Sequence, residues 1–374
     1  MKKTVMTVVA LACAALVCSC GGKKNITEGD HAKLDSLSYC LGTNIGGGLK
    51  QQFRDIAIDE DVCAKGIVDG ITGKAKKDHK ETLALLREFF GETLQDRLAA
   101  HQEAMKNDST VVFNAFVDKA ECDKISYAIG SDLGKNVADS KLTLQYYWLV
   151  EGFKEAWNGN MRLSDEQVMV YLNHYFMQVL PAENAKRSAE WLEKKKKGTG
   201  VKVTESGLVY KVVKEGDMTK AAKRDEDVVK VHYIGKLQDG TVFDASRFEN
   251  WPKERQEMVR EQQPTLFDEK GKYTKNDPIE FPLNRVIKGW TEGMKLVGPG
   301  GKIKLYIPAE LAYGRRGAGN MIGANEALEF EVELIDVTPA PEPEVKPEVE
   351  AKEEKKAEAP KAAKKVVAKK QLKK

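Results

Sequence analysis

The chain has 374 residues, of which 41% are hydrophobic and 31% are charged, and its formal net charge is +3 at pH 7. This length exceeds what one hydrophobic core usually serves, so we expect more than one domain. The basic excess lies in residues 339–374, which hold 11 Lys against 7 Glu and leave the rest of the chain at −1. Composition therefore gives no indication of a nucleic-acid-binding domain.

The first residues have the layout of a bacterial lipoprotein signal. Charged residues at the start are followed by an apolar run at 4–17, which is too short to span a bilayer, and small residues then precede Cys20. We expect residues 1–19 to be a signal peptide, lipid on Cys20 to attach the protein to a membrane, and residues 20–34 to be a tether. An ordinary secretory signal that contains cysteines is the alternative.

Two stretches resemble each other and have the apolar spacing of helices, with apolar residues recurring every four positions. They predict an all-α region of two tandem helical repeats, at 35–110 and 120–181. Gly42 and Gly46 predict a close approach of helices, although glycines tolerated in ordinary helical turns would look the same. The matched segments begin at Leu37 and Ile125, at Gly66 and Trp148, and at Leu86 and Leu172, with offsets of 88, 82 and 86 residues.

The end of the second repeat has helix-boundary signals. Ser164 and Gln167 form a capping box, and Pro181 is expected to stop that helix. The charged stretch at 182–200 then predicts a separate connecting helix. Lysines in its last turn suit the helix dipole, so we do not interpret them as a nucleic-acid site.

After residue 200 the apolar spacing changes from helical to alternating. Every second residue from Val229 to Tyr233 shares one face of a strand, and this pattern recurs in two later segments. Asp239-Gly240 predicts a hairpin turn. With a short helix around Trp290, these signals predict an α+β domain at 203–337, in which an antiparallel sheet wraps on the helix.

Patterns of acid–base, nucleophilic or metal chemistry are absent from the sequence. His232 is expected to be exposed on the polar face of its strand, and Cys40, Cys63 and Cys122 lack the spacing of a metal site or a disulfide framework. We therefore expect no cofactor and no metal. Aromatic and aliphatic residues at turns and strand ends predict an apolar ligand pocket instead.

Four segments, taken in order, resemble the FKBP-type peptidyl-prolyl cis-trans isomerases. They are Val231-His-Tyr-Ile-Gly-Lys-Leu-Gln-Asp-Gly-Thr-Val-Phe-Asp-Ala-Ser246 and the segments at 281–293, 307–314 and 327–334. The helical region is similar to the N-terminal dimerisation domain of envelope isomerases of the macrophage infectivity potentiator type. The resemblance implies an FKBP-like domain that isomerises Xaa-Pro bonds of exported proteins. Together with the signal layout before Cys20, it predicts a place in the bacterial cell envelope, lipid-anchored and facing the periplasm, with exposure at the cell surface as the alternative.

The resemblance further implies roles for single residues. Trp290 is the floor for the proline ring, Tyr313 offers its hydroxyl to a substrate carbonyl, and Asp244 is a polar group at the pocket edge. These three are the expected catalytic residues, and the backbone amide of Ile287 is a further donor to the substrate. The expected substrate-binding residues are Tyr233, Phe243, Val286, Ile287, Ile322 and Phe330.

The sequence departs from the family pattern at the rim of this pocket. Residues 249–277 form a long insert where the family has a short bulge, and the insert is either a substrate-gripping flap or a tolerated surface insertion. Glu249 stands where the family often has an arginine partner for Asp244. Gly323-Ala324 stand where prolines are common.

Two functional hypotheses follow. The first is an isomerase that acts on unfolded or proline-containing exported polypeptides. The alternative is a holdase-type chaperone or binding module, with a weak or vestigial isomerase domain and helical repeats that bind unfolded chains. The repeats either pair within a monomer or form a homodimer. Residues 338–374, rich in Pro, Glu, Lys and Ala, are expected to be disordered, as an envelope attachment or a spacer.

Overall fold

The structure is a computed structural model that describes residues 26–140, 142–319 and 321–341. The predicted signal peptide, the lipidation site Cys20 and almost all of the tail lie outside the described residues. No helix in the described ranges is long and apolar enough to cross a membrane. The described residues up to Ala340 form one compact unit, in which a helical region precedes a sheet domain.

Most helices of the helical region begin at a side chain that suits a helix N-terminus. Asp35, Asp59, Asp78, Asp118 and Ser164 each accept a hydrogen bond from the backbone N–H three residues later, which satisfies a donor that the helix leaves open. The capping box predicted at Ser164 is confirmed. The helices are α1 (Ser36–Gln52), α2 (Glu60–Thr72), α3 (His79–Glu88), α4 (Leu94–Asn107), α5 (Lys119–Asp139), α6 (Tyr146–Asn158), α7 (Asp165–His174) and α8 (Leu180–Lys196).

Helices of the two repeats pack in crossed pairs, α1 against α6 and α2 against α5. Glycines lie where the helix backbones meet. A Cβ atom on Gly42 would lie 1.9 Å from the carbonyl oxygen of Leu149, and one on Gly130 would lie 1.9 Å from that of Cys63. Because a side chain does not fit into such a gap, the close approach predicted at Gly42 is confirmed.

Over most of its length the repeat has a spacing of 86 residues. Helices α2 and α6 are both 13 residues long, and their starts, Glu60 and Tyr146, are 86 residues apart. Both end at a glycine in the left-handed conformation, Gly73 at φ 73° and Gly159 at φ 75°. The match at an offset of 82 residues is therefore wrong by one helical turn, because residues four apart share a helix face and give the same apolar pattern.

Pro181 does not end a helix, contrary to the prediction. Helix α7 continues through a π-helical turn, Tyr175–Val179, into α8. In this turn the N–H of Leu180 bonds to the carbonyl of Tyr175, five residues back. A proline inside a regular helix lacks an N–H to donate, and its ring crowds the preceding turn. The π-helical turn ends beside Pro181 and is wider than a regular turn, so it leaves room for the proline ring. The predicted connecting helix at 182–200 is thus the continuation of the second repeat.

Residues 26–34, predicted as part of a tether, lie against the helical region. Strand β1 (Ile26–Thr27) pairs in parallel with β2 (Leu144–Gln145). The indole N–H of Trp148 donates to the carbonyl oxygen of Asp30 at 2.9 Å. The ring of His31 stacks on a tyrosine of α6, with a centroid distance of 3.7 Å. These contacts fix the segment on the second repeat.

The sheet domain follows α8 and has the predicted α+β fold. Its strands run in the order β3-β4-β8-β9-β5-β6, all antiparallel, and β7 also pairs with β5, on the edge away from β9. The turn predicted at Asp239-Gly240 joins β5 to β6, with Gly240 at φ 89°. The strands are β3 (Lys202–Val203), β4 (Val209–Lys214), β5 (Val228–Lys236), β6 (Val242–Ala245), β7 (Ile279–Pro282), β8 (Lys302–Ile307) and β9 (Leu328–Thr338).

The core of the sheet domain lies between one sheet face and a short helix. Val229 and Val231 of β5 are fully buried on this face, as the alternation predicted. Helix α9 (Lys253–Gln262) belongs to the insert, and helix α10 (Lys288–Gly293) packs on the sheet. A Cβ atom on Gly293 would lie 2.6 Å from the side chain of Leu305, so this glycine lets α10 approach the strands closely.

The insert at 249–277 has an ordered core of its own. Four aromatic rings meet there, and the rings of Phe248 and Tyr273 stack with centroids 4.7 Å apart. The guanidinium of Arg260 lies over Phe248 and over Phe267, where cation–π attraction adds to the apolar contact. The indole N–H of Trp251 donates to the carbonyl of Ala245 at 2.8 Å and ties the insert to β6.

Candidate active site

Five of the nine predicted site residues lie in β5, β6, β9 and α10, and the other four, Val286, Ile287, Tyr313 and Ile322, lie in connecting segments. In the register of the sheet, Gly235 of β5 lies between Asp244 and Phe330. A Cβ atom on Gly235 would lie 2.7 Å from the ring of Phe243 and 2.8 Å from that of Phe330. The glycine therefore makes room for two site rings, a role that the sequence analysis did not assign.

Trp290 is the centre of an aromatic cluster. It is 4% exposed, and its ring meets those of Tyr233 and Phe330 nearly at right angles, with both centroids 5.3 Å away. Phe281 packs edge-on at 5.8 Å, and the ring of Phe243 meets Phe330 at 5.6 Å. Such edge-to-face contacts orient aromatic rings. Phe281 lies in a motif that the sequence analysis noted, but no role was assigned to it.

Tyr233 and Asp244 form the main polar contact of the cluster. The Tyr233 hydroxyl donates to Asp244 Oδ2 at 2.6 Å, and the N–H of Ala245 donates to Asp244 Oδ1 at 2.9 Å. Burial, reinforced by this carboxylate, raises the pKa of Tyr233 above its usual value. The phenol therefore stays protonated at neutral pH, and Asp244 is held as an acceptor at the pocket edge.

Tyr313 lies at the rim, ahead of a short 3-10 turn, and is 39% exposed. Burial of its hydroxyl and the charge of Asp244 raise the pKa of Tyr313. The hydroxyl therefore stays protonated and can donate a hydrogen bond across the physiological pH range. The structure supports the donor chemistry that the resemblance implied, and its use on a substrate remains a prediction.

Ile287 caps the N-terminus of α10. Its carbonyl oxygen accepts from the N–H of Trp290 at 2.8 Å, whereas its own N–H donates to no acceptor among the residues that the structure describes. The residue at the N-terminus of α10 thus has a backbone donor without an acceptor in the described part of the chain. Seven of the predicted site residues belong to one apolar cluster: Tyr233, Phe243, Val286, Ile287, Trp290, Ile322 and Phe330.

His232 is buried, contrary to the prediction, with 8% of its surface exposed. Its Nδ1 lies 3.1 Å from the hydroxyl of Ser246, which also accepts from the N–H of Tyr233 at 2.9 Å. A cavity of about 190 Å³ opens on this other face of the sheet. Its charged residues pair with one another, as Arg247 does with Glu333, and of the predicted site residues only Tyr233 lines it.

The comparisons with known proteins define this class of protein. Residues 219–335 match the family described as FKBP-type peptidyl-prolyl cis-trans isomerase. The domain amino terminal to FKBP-type peptidyl-prolyl isomerase matches twice in succession, at 34–121 and 122–212, which confirms the tandem repeat.

Curated relatives give the same result over most of their length. The isomerase FkpA of Escherichia coli K12 is 35% identical over 264 residues, which are 66% of this chain and 85% of that protein. Outer membrane protein MIP of Legionella longbeachae is 34% identical over 233 residues, 58% of this chain and 86% of that protein. The crystal structure of E. coli FkpA is 37% identical, covers 52% of this chain and 82% of its own, and has a TM-score of 0.36. The family matches and the curated relatives show that the chain belongs to the FKBP-type peptidyl-prolyl cis-trans isomerase family.

Proposed function

We propose that the chain accelerates cis/trans isomerisation of Xaa-Pro bonds in exported polypeptides, at the aromatic cluster around Trp290. The observation that carries the proposal is the joining of apolar rings and one fixed polar pair, Tyr233 with Asp244 at 2.6 Å, in a single site. The inference that the substrates are exported rests on the signal-like start of the chain and on a relative that is named an outer membrane protein. Anchoring by lipid on Cys20 belongs to the same proposal.

The chemistry of amide rotation explains why such a pocket suffices. Rotation about the bond has a barrier of about 18–20 kcal/mol because resonance is lost on twisting. The twisted amide has a less polar carbonyl than the planar one, so an apolar site binds it better than it binds the planar ground state. Stabilising it by about 5.5 kcal/mol gives roughly 10⁴-fold acceleration. The step needs no nucleophile and no transfer of a proton.

Individual groups have defined roles in this proposal. The proline ring lies on Trp290, with Phe243, Val286, Ile322 and the other apolar residues as walls. The Ile287 N–H and the Tyr313 hydroxyl donate to substrate carbonyls, and Asp244 orients Tyr233. Because burial raises the pKa of both tyrosines, their protonation is constant from pH 6 to 8. The rate should therefore be nearly flat over that range.

Replacing Tyr313 by Phe tests the proposal. The change removes one hydroxyl donor, and a net hydrogen bond contributes about 0.5–1.5 kcal/mol, so we expect kcat/KM to fall about three- to ten-fold. Exchange spectroscopy on a short Xaa-Pro peptide, from pH 6 to 8, measures it. Tyr210→Phe on β4 is the matched control and should leave the rate unchanged. Equal rates for both variants, or a steep pH dependence, would contradict the assigned roles.

The holdase alternative has its own supporting observation. Val112, Val117 and Met177 of the helical region are strongly exposed apolar side chains in the described ranges, and unfolded chains would bind where such side chains form one contiguous patch. A proline-limited refolding assay separates the two functions. In a Trp290→Ala, Asp244→Ala double variant, holdase action would persist as suppressed aggregation, whereas acceleration of the slow refolding phase would be lost.

A further inference from the structure

Residues 322–327, which begin with the predicted pocket residue Ile322, are bound to helix α8 of the helical region and form the 322–327 segment. The side-chain amide of Asn184 on α8 donates to the carbonyl of Ala324 at 3.0 Å. The side-chain amide of Asn325 donates in return to the carbonyl of Pro181 at 3.0 Å. The two contacts join the sheet domain to the helical region directly beside the pocket wall.

Ser188, one turn further along α8, makes a second set of contacts. Its hydroxyl donates to the carbonyl of Asn325 at 2.9 Å and accepts from the N–H of Ala327 at 3.0 Å. It also accepts from the side chain of Gln238 at 2.7 Å. One buried hydroxyl thus holds both ends of a short stretch of backbone.

The burial of these groups makes their geometry specific. Asn184 is 1% exposed and Ser188 is 5% exposed. A buried polar group that loses its partner costs about 1–3 kcal/mol, so movement of the segment away from α8 would leave several such groups unsatisfied. Glu326, also buried, accepts from the N–H of Gly323 and lies 3.4 Å from Arg187 of α8. The contacts therefore favour one position of the segment.

Asn325 extends this link to the other side of the pocket. Its backbone is left-handed, at φ 60°, a conformation that few residues other than glycine adopt and that persists where the surroundings fix it. Its N–H donates to the carbonyl of Gly314 at 2.8 Å, directly after Tyr313. One residue held by α8 thus lies between the expected wall, Ile322, and the expected donor, Tyr313.

We propose that α8 positions the pocket, with Asn184 and Ser188 as positioning residues that fix the 322–327 segment and, through Asn325, the backbone beside Tyr313. This inference rests on the proposed function of that pocket. A pocket already in its binding conformation binds substrate without first selecting a minor state. The helical region would then set the affinity of the sheet domain for its substrate.

The variant Asn184→Asp tests the proposal in the full chain. It keeps the size of the side chain and the oxygen that accepts from Arg187, but it replaces the donor to Ala324 by a carboxylate oxygen. If the segment is then in place about 10–30% of the time, KM for an Xaa-Pro peptide should rise about three- to ten-fold while kcat stays within about two-fold. Lys195→Gln is the control, because Lys195 lies on the same helix and binds Glu329 on β9 instead of the segment.

Hydrogen exchange supplies a readout that does not depend on activity. The amides of Asn325 and Ala327 should exchange faster in Asn184→Asp, whereas those of β5 should not change. Unchanged KM and unchanged exchange in a folded variant would overturn the proposal, as would an equal effect of Lys195→Gln. If the unmodified protein fails to accelerate the peptide, the proposed function fails, and exchange at Asn325 and Ala327 still decides whether α8 positions the segment.

Discussion

The imidazole of His232 lies behind the pocket residue Tyr233, and its surroundings make stability depend on pH. Burial, reinforced by the positive charge of Arg247, lowers the pKa of His232, while Glu333, Glu249 and Asp277 act in the opposite direction. Between this lowered pKa and about 6.5, the unfolded chain binds a proton that the folded protein does not, so the free energy of unfolding increases with pH there.

We therefore expect the stability that His232 contributes to be complete above about pH 6.5 and to be lost as the pH falls below it. Urea unfolding at a series of pH values from 5 to 7.5 measures this dependence. His232→Gln should reduce the slope, and His174→Gln, at an exposed histidine of α7, is the control. A slope that His232→Gln leaves unchanged would assign the pH dependence to other groups.

The same residue shows the limit of strand patterns. Alternation predicted the buried face of β5 correctly, as Val229 and Tyr233 demonstrate. It placed His232 in solvent, because the pattern of one strand does not contain the neighbours that cover its polar face. Those neighbours, Ser246 and Arg247, come from the end of the next strand. Most residues of the aromatic cluster were predictable because four motifs in order carry them. The place of Gly235 between two of its rings is visible only from the register of the sheet.

At the scale of elements, two glycines of α1 separate the effect of helix packing on stability from the effect of helix propensity. Gly42→Ala would place a methyl group 1.9 Å from a backbone oxygen of α6, so the helices must separate, and overpacking of this kind typically costs about 1–3 kcal/mol. Gly48, on the same helix, has nothing within 4 Å of a built Cβ. Gly48→Ala should therefore stabilise the protein by up to about 1 kcal/mol through helix propensity alone.

Thermal unfolding followed by circular dichroism measures both changes. The two variants should shift the midpoint in opposite directions, downward for Gly42→Ala and upward for Gly48→Ala. Because the substitution and the helix are the same, intrinsic propensity cannot explain a difference in sign. Equal shifts would mean that the contact between α1 and α6 is not as close as the structure has it.

The boundaries of elements were harder to predict than their existence. Pro181 predicted a helix end from local sterics alone, but the π-helical turn at Tyr175–Val179 removes the conflict. The same turn occurs at the matching place in the first repeat, Phe89–Thr93, where no proline follows, so the proline alone does not specify it. The insert at 249–277 likewise gave no prediction of its aromatic core, because its rings meet only when the ends of the insert come together.

At the scale of the whole molecule, the crossed pairing of the repeats bears on assembly. The sequence left two arrangements open, in which the repeats pair within a monomer or form a homodimer. Here α1 packs on α6 and α2 packs on α5 within one chain, so the helix faces that carry the glycines are already covered inside the chain. We propose that the protein is a monomer in solution, with the second repeat in place of a second subunit.

Two chains could also exchange these helices, so that α1 of one chain packs on α6 of the other and the same surfaces are buried in a dimer. Only the dimer depends on protein concentration, so a concentration series distinguishes it from the monomer. Light scattering on the chain from residue 26 onward, over a hundred-fold range of concentration, should give the mass of one chain throughout. A constant dimer mass would contradict the monomer.

Gly42→Ala sharpens the test, because it loosens the pairing of α1 with α6 inside the chain. In a monomer this change should lower the thermal midpoint without any dependence on protein concentration, whereas in an exchanged dimer the midpoint should depend on concentration.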